Sequence, residues 1–477
     1  MLRFLAQGIS AIALLSGTAL AGPGNSSTVV QGNQGNRASV DQNQSSWGAA
    51  SSVNQQGDSN AATILQRDDG SAVGAVEANA SDVFQTGSSN EATVTQRSLD
   101  ADDSDAAQNY SNIDQSGDGG LVDVLQVGQA ATSFVTQLGA DQKADVEQRG
   151  PGRNDSTINQ EGSGQVADVF QRGTDDDSVI TSNVEQLGQL QTAIVTQVGY
   201  GATSSVMQDG ENNAATVDQD SNGDGSLASE VIQAGTSNLA EVTQAGAEAT
   251  SKVDQSGTTG FASLNQNSDG GGLLDSVITQ NGDTNSATVT QNGVSATSEV
   301  TQDNGISLVA DVTQTSNGDG DLTSVVTQTG EGSSATIGQS GDQADSDVDQ
   351  QGSFQVALVS QISSSTDGLS SSILQIDEFN TATVTQRGDG PVSSIIEQAG
   401  SFMEVTVTQN GTELSSEVYQ TSGSGNITTV SQTGDDKTSL VTQDGDRHEA
   451  TVLQLSGTVA YSNVEQSGSG NVANVTQ

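Results

Sequence analysis

Carboxylates are the only abundant reactive groups in this sequence. Among 477 residues there are 60 Asp plus Glu, 12 Lys plus Arg, one His (His448) and no Cys, for a formal net charge of −48. Residue type alone therefore excludes thiol chemistry, Cys/His zinc sites and most nucleophile–His pairs. Two paired acids could cleave a glycosidic bond, and spaced oxygens could hold a hard cation. The cation candidate is Asp220-Ser221-Asn222-Gly223-Asp224-Gly225, with Asp220, Asn222 and Asp224 as donors. It opens like a calcium loop, but Val231 stands where the bidentate Glu belongs and Glu230 is one residue short. Other acidic insertions keep Asp and Gly without the spacing and read as solvated turns. No other cofactor is expected. Nor is an enzyme: near-identical repeats single out no carboxylate pair, and Trp47, Tyr110, Tyr200, Tyr419 and Tyr461 are too scattered for a sugar platform.

Such an acidic chain repels nucleic-acid phosphates and anionic membrane surfaces. With 32 % hydrophobic and 3 % aromatic residues it also has the composition of a disordered chain, so a folded reading needs periodicity. Residues 1–21 are set apart. Arg3, the apolar run from Ile9 to Leu15 and Ala19-Leu20-Ala21 have the layout of a signal peptide, too short to span a bilayer. Residues 22–24 form a short leader, and 25–477 a continuous repeat array.

What positions any side chain here is that repeat. A unit small-x-aliphatic-x-Gln ends at Gln31, Gln42, Gln55, Gln66 and onward to Gln477 in 38 copies. Of the 37 intervals, 24 match the spacing of Gln31 and Gln42, and 5 are one position longer. In Asn285-Ser286-Ala287-Thr288-Val289-Thr290-Gln291, Asn, Ala, Val and Gln share one face of a strand. The second residue after Gln is Gly in 25 of 37 cases, as in Gly282, Gly293 and Gly388, which suits a turn needing positive φ. Four residues before Gln, odd copies carry Ser in 19 of 19 cases and even copies carry Ala in 16 of 19. The unit is therefore a pair of inequivalent strands, roughly 22 residues in all, a length typical of solenoid repeats.

Larger insertions all precede odd strands, and from Gln186 to Gln375 they recur every fourth strand. A coil with two strands per turn buries the Val/Ala faces against each other and sets Ser on Ser and Ala on Ala about 4.8 Å apart. The expected fold is an all-β, parallel two-sheet β-solenoid of about 19 rungs, two strands per rung. Buried Gln amides would pair with the Gln above and below, as in cross-β amide ladders. Outward acids such as Asp82, Asp145, Asp168, Glu230, Glu241, Glu299, Asp311, Asp347 and Glu417 would oppose lateral aggregation.

In phase over many copies, the residues Ser276, Ile278, Gln280, Gly282, Asn285, Ala287, Val289 and Gln291 resemble the curlin repeat of bacterial curli subunits. The resemblance implies a secreted functional amyloid that forms surface fibres for biofilm matrix and adhesion. Its implied partners are copies of itself, a nucleator subunit and a dedicated outer-membrane secretion pore; neither nucleic acid nor membrane insertion is expected. The chain differs in its number of repeats and in lacking a long Gly-rich segment ahead of them. Gln142, Gln165, Leu308, Met403 and His448 also replace the repeat's Asn. The alternatives are a monomeric secreted adhesin, or a surface protein binding calcium or ice, although Thr pairs such as Thr288/Thr290 are interrupted on most rungs.

Overall fold

A computed structural model describes residues 25–43, 48–68, 79–98, 108–221, 226–246, 248–268, 272–316, 320–364, 368–455, 457 and 459–477. The described residues form 36 β-strands and no helix, so none of them belongs to a helix able to cross a membrane. The signal-peptide and leader residues, Trp47, Asn222 and Asp224 lie outside the described residues. Contacts divide the chain into two units, residues 1–223 and 224–477.

Within each unit strands pair in parallel with the strand two places further on, as a two-strand coil requires, except around the long strands Glu404–Ser422 and Ile427–Asp446, which pair with each other and with their chain neighbours. In the first unit Ser27 and Gln31 lie beside Ser51 and Gln55, and Ala144 and Gln148 beside Ala167 and Gln171. In the second, Ser276, Ile278 and Gln280 lie beside Ser298, Val300 and Gln302, and Ala287 and Gln291 beside Ala310 and Gln314. Odd and even strands are thus separate walls, and like residues stack on like. The strand count corresponds to about 18 turns. Glu404–Ser422 (19 residues) and Ile427–Asp446 (20 residues) each run through a corner and serve both walls, which reconciles this with the 19 rungs expected from the sequence.

Alternation decides what is buried. In Ser286–Asn292 the pattern is half-buried, buried, half-buried through to Gln291, so Ala287, Val289 and Gln291 face inward and Ser286, Thr288 and Thr290 outward. The core is thin, one Val/Ile/Leu column per wall two residues before Gln with smaller residues beside it, and each fully buried Val or Ile contributes about 1.5–3 kcal/mol. The longer intervals between glutamines are absorbed at corners: the register shifts between Gln280 and Gly282, where the next turn has one extra residue before Gly305.

The glycine expectation needs one correction. Gly282 (φ 127°) and Gly293 (φ 107°) do lie in the left-handed region, but Gly388 does not. What Gly388 shares with the others is crowding: a Cβ there would sit 2.3 Å from the Gly411 carbonyl oxygen. Close stacking of corner on corner, rather than turn conformation alone, selects glycine.

Candidate assembly interface

The sequence places an uncharged amide at one inward position per strand, and a buried amide without partners costs several kcal/mol. Stacking supplies the partners. In the first unit two columns run Gln31–Gln55–Gln85–Gln115–Gln137–Gln160–Gln186–Gln208 and Gln42–Gln66–Gln96–Gln126–Gln148–Gln171–Gln197–Gln219. Each Nε2 donates to the Oε1 of the next Gln at 2.6–3.0 Å. The second unit repeats this at 2.7–3.0 Å through Gln466 and Gln477. The remaining amide hydrogen binds a backbone carbonyl of the opposite wall, as Gln280 does with Phe261 (2.9 Å) and Gln291 with Asp275 (3.2 Å). In each of these Gln–Gln bonds within a unit the amide donates toward the higher-numbered neighbour. Backbone bonds alternate instead: Arg37 N donates to Asn60 O, whereas Ser59 N donates back to Gln34 O.

The other repeat positions have distinct places. Ser276 bonds the hydroxyl of Ser298 at 3.0 Å. Twelve equivalent serines among the described residues, from Ser81 to Ser462, have no side-chain partner; small size rather than hydrogen bonding unites that column. Ile278, Ala287 and Val289 are fully buried. A Cβ on Gly282 would come within 2.2 Å of the Gly305 oxygen. Asn285 pins the corner, its Oδ1 accepting from Leu308 N (3.1 Å) and its Nδ2 donating to Asn281 O (3.4 Å). The departures from Asn are absorbed in different ways. Gln142, Gln165 and Gln191 form a third amide column (2.8 and 3.2 Å). Leu308 and Met403 lack the side-chain amide but keep the backbone bond to the preceding Asn. His448 accepts from Asn471 N through Nδ1 (3.3 Å), and its Nε2 meets the Asp444 carbonyl (3.2 Å).

Three columns were missed by sequence reasoning. Leu227, Ala249, Leu274, Ala296, Leu322, Ala344, Leu369, Val392 and Leu414 form one buried cluster of largely alternating size. Leu227, Leu274, Leu322 and Leu369 each follow a longer insertion, so the near-constant spacing of these leucines was a usable signal. Phe354, Phe379 and Phe402 stack on the outside of successive corners, with centroids 5.2 and 4.8 Å apart. Arginines also align on one wall of the first unit.

Of the calcium candidates, Asp220 is exposed at the end of a strand beside Val198. Among the described residues no group of three His, Cys, Asp or Glu is placed to hold a metal. The outward acids are exposed except Asp145 and Glu417, which are half-buried. Asp145 lies between Asp123 and Asp168. Partial desolvation by the packed wall, and after it the charge of Asp145, pushes both of those carboxyls above the usual range; partial desolvation does the same to Asp114, Asp218, Asp345 and Asp347.

A raised carboxyl costs folded-state stability wherever it is ionised in both states. The cost is full at neutral pH and is relieved as pH falls through the raised value toward the ordinary 3.8. Asp118, lowered by its bonds from Ser88, is fully exposed and too screened to oppose this. The urea midpoint is therefore expected to rise as pH falls from neutrality toward the ordinary 3.8. A midpoint that falls over that range contradicts the assignment.

Residues 404–434, which include Gln409, Gln420 and Gln432, match the family model of the curlin associated repeat. No curated protein matches the chain. A curlin repeat on a parallel β-solenoid fits a structural, extracellular protein rather than an enzyme.

Proposed function

We propose that this curlin-repeat chain is a fibre subunit, adding end to end to copies of itself in an extracellular matrix that serves biofilm cohesion and adhesion. One observation carries the reading: outermost described turns expose column positions that interior turns bury. Val29 is 39 % exposed, whereas its stacked neighbour Val53 is fully buried. Ser26–Gly32 pairs with Ala50–Asp58 on one side only among the described residues, and in the second unit Gln477 is exposed whereas Gln454, stacked on it, is fully buried. An open strand edge is a template for another strand, and here it also offers the Gln, Ser and aliphatic columns in register. Export through a dedicated outer-membrane pore and start-up on a nucleator subunit belong to the same proposal, supported by the curlin repeat.

The test is electron microscopy with fibre diffraction on the purified mature protein. Fibres with a meridional spacing of about 4.8 Å are expected. Protein that stays monomeric at high concentration for days overturns the reading. The outward acids make assembly salt-dependent: raising ionic strength from about 0.02 to about 0.2 M is expected to shorten the lag several-fold. An unchanged lag would remove charge repulsion from the account.

A further inference from the structure

Four successive odd-wall segments of the second unit, in Ala344–Ser353, Leu369–Glu378, Val392–Ala399 and Glu404–Ser422, each turn inward the sixth residue before the ladder Gln. Register sets Ala344 beside Leu369, Leu369 beside Val392 and Val392 beside Leu414 at that position. The residues after the last three are short, namely Ser370, Ser393 and Ser415, and Gly368 and Pro391 precede Leu369 and Val392. Charged side chains return only at the two ends, where Asp345 follows Ala344 and Glu413 precedes Leu414. The outcome is a groove of about 460 Å³ along the four turns, a volume in the range of small-ligand sites.

Shape and charge together narrow what fits. The first and fourth turns lie about 14 Å apart. Over that length 460 Å³ leaves a cross-section of roughly 30 Å², room for one extended chain. Leu369, Val392 and Leu414 floor the middle, and exposed Pro391 stands at its side. No Lys or Arg lines the groove. A side-chain bond with Asp436, and that residue's charge, hold the Glu413 carboxyl above its usual range, and partial desolvation does the same for Asp345. A cation at either end relieves this. An anion is repelled, and a bare metal ion meets a single lining carboxylate at each end. An apolar trough with a carboxylate at both ends complements a long molecule that is apolar in the middle and cationic at both tips.

We propose that this groove binds a long aliphatic diamine, its methylene chain laid along Leu369, Val392 and Leu414 and its two ammonium groups held by Asp345 and Glu413. The hydroxyls of Ser370, Ser393 and Ser415 line one lip and accept hydrogen bonds from any further ammonium along the chain, so a polyamine belongs to the same class. The groove is complete within one copy, so the proposal stands independently of fibre formation.

Titration calorimetry of fresh, unassembled full-length chain with decamethylenediamine tests it, in about 0.15 M salt to screen the general attraction of so acidic a surface. One saturable site per chain is expected. Putrescine carries the same two ammonium groups on a shorter chain; it should bind at least about 10-fold more weakly, because fewer methylenes leave water and the two carboxylates are out of its reach. Asp345→Asn and Glu413→Gln should each weaken the longer diamine about two- to fivefold. Ser393→Phe, which fills the trough from an outward position, should abolish saturable binding, with circular dichroism as the check on folding. Asp311→Asn, on the even-strand wall, should change nothing. If putrescine binds as tightly as the longer diamine, or the Ser393→Phe isotherm matches the wild type, the cations are general counterions and the proposal falls. The ligand comparison needs only the wild-type chain, so it decides the matter even if a variant misfolds.

Discussion

Replacing Gln280 with Leu is expected to remove about 4 kcal/mol of local stability from the turns that meet there. Gln280 is 2 % exposed. It accepts from Gln255 (2.8 Å) and donates to Gln302 Oε1 (2.8 Å) and Phe261 O (2.9 Å). Leucine strands all three partners in a dry interior, each at about 1–3 kcal/mol, and its added apolar contact returns only part of that. Gln280→Glu separates the donor role from shape. The carboxylate still accepts from Gln255 but donates to neither Gln302 nor Phe261 while ionised. Its loss should therefore be at least as large near neutrality and shrink as acid protonates it. Hydrogen exchange across 261–267, 274–283 and 296–306 is the appropriate measure, since repeat arrays unfold locally. Thr279, outward on the same strand, is the control: Thr279→Ala should stay within about 0.5 kcal/mol. A Gln280→Leu variant with protection unchanged would mean the amide column is incidental.

The second large effect comes from adding one methyl group at a corner. In Gly117→Ala the new Cβ would sit 1.7 Å from the Gly139 carbonyl oxygen, at a φ of 150°. The obstacle is backbone of the next turn, so the two turns must separate and surrender their in-register bonds. A loss of about 3 kcal/mol or more is expected, with exchange protection broken at that corner. Gly338→Ala is the contrast. Gly338 lies in a strand, and the nearest atom to an added Cβ is Val359 O at 3.9 Å. There alanine should be neutral or stabilise by about 0.5–1 kcal/mol through lost unfolded-state freedom. Equal responses at the two sites would show that corner contact does not select glycine.

Much of this architecture is written in the chain because a solenoid is nearly one-dimensional. The Ser/Ala parity told odd from even strands, and the glutamine phase fixed which positions turn inward. Whatever depends on both register and insertion length stayed hidden. Arg67 and Arg97 are adjacent on the wall, as are Arg149 and Arg172. Yet the ladder glutamines just ahead of the first pair, Gln66 and Gln96, differ by 30 in number, and those ahead of the second, Gln148 and Gln171, by 23. No single period joins all four arginines; only alignment on the ladder glutamines does. The phenylalanine stack was obscured in the same way, since the step from Phe354 to Phe379 is longer than that from Phe379 to Phe402. Glycine was half legible. Its presence at corners was plain, but the carbonyl that demands it belongs to the next turn, as Gly139 does for Gly117.

The shared direction of the side-chain amides has a consequence for growth. Backbone bonds leave donors and acceptors on both faces of a stacked turn, so they would tolerate a newcomer in either sense. The amide columns are not so permissive: one face of any turn offers carbonyl oxygens, the opposite face N–H groups. Abutting two like faces would set oxygen against oxygen, or hydrogen against hydrogen, in both columns. Heterologous joints alone satisfy the amides, and such joints extend as an open filament wherever their rotation does not close a ring. Added copies must all point the same way, giving a filament with chemically distinct tips and a reason for elongation to favour one of them.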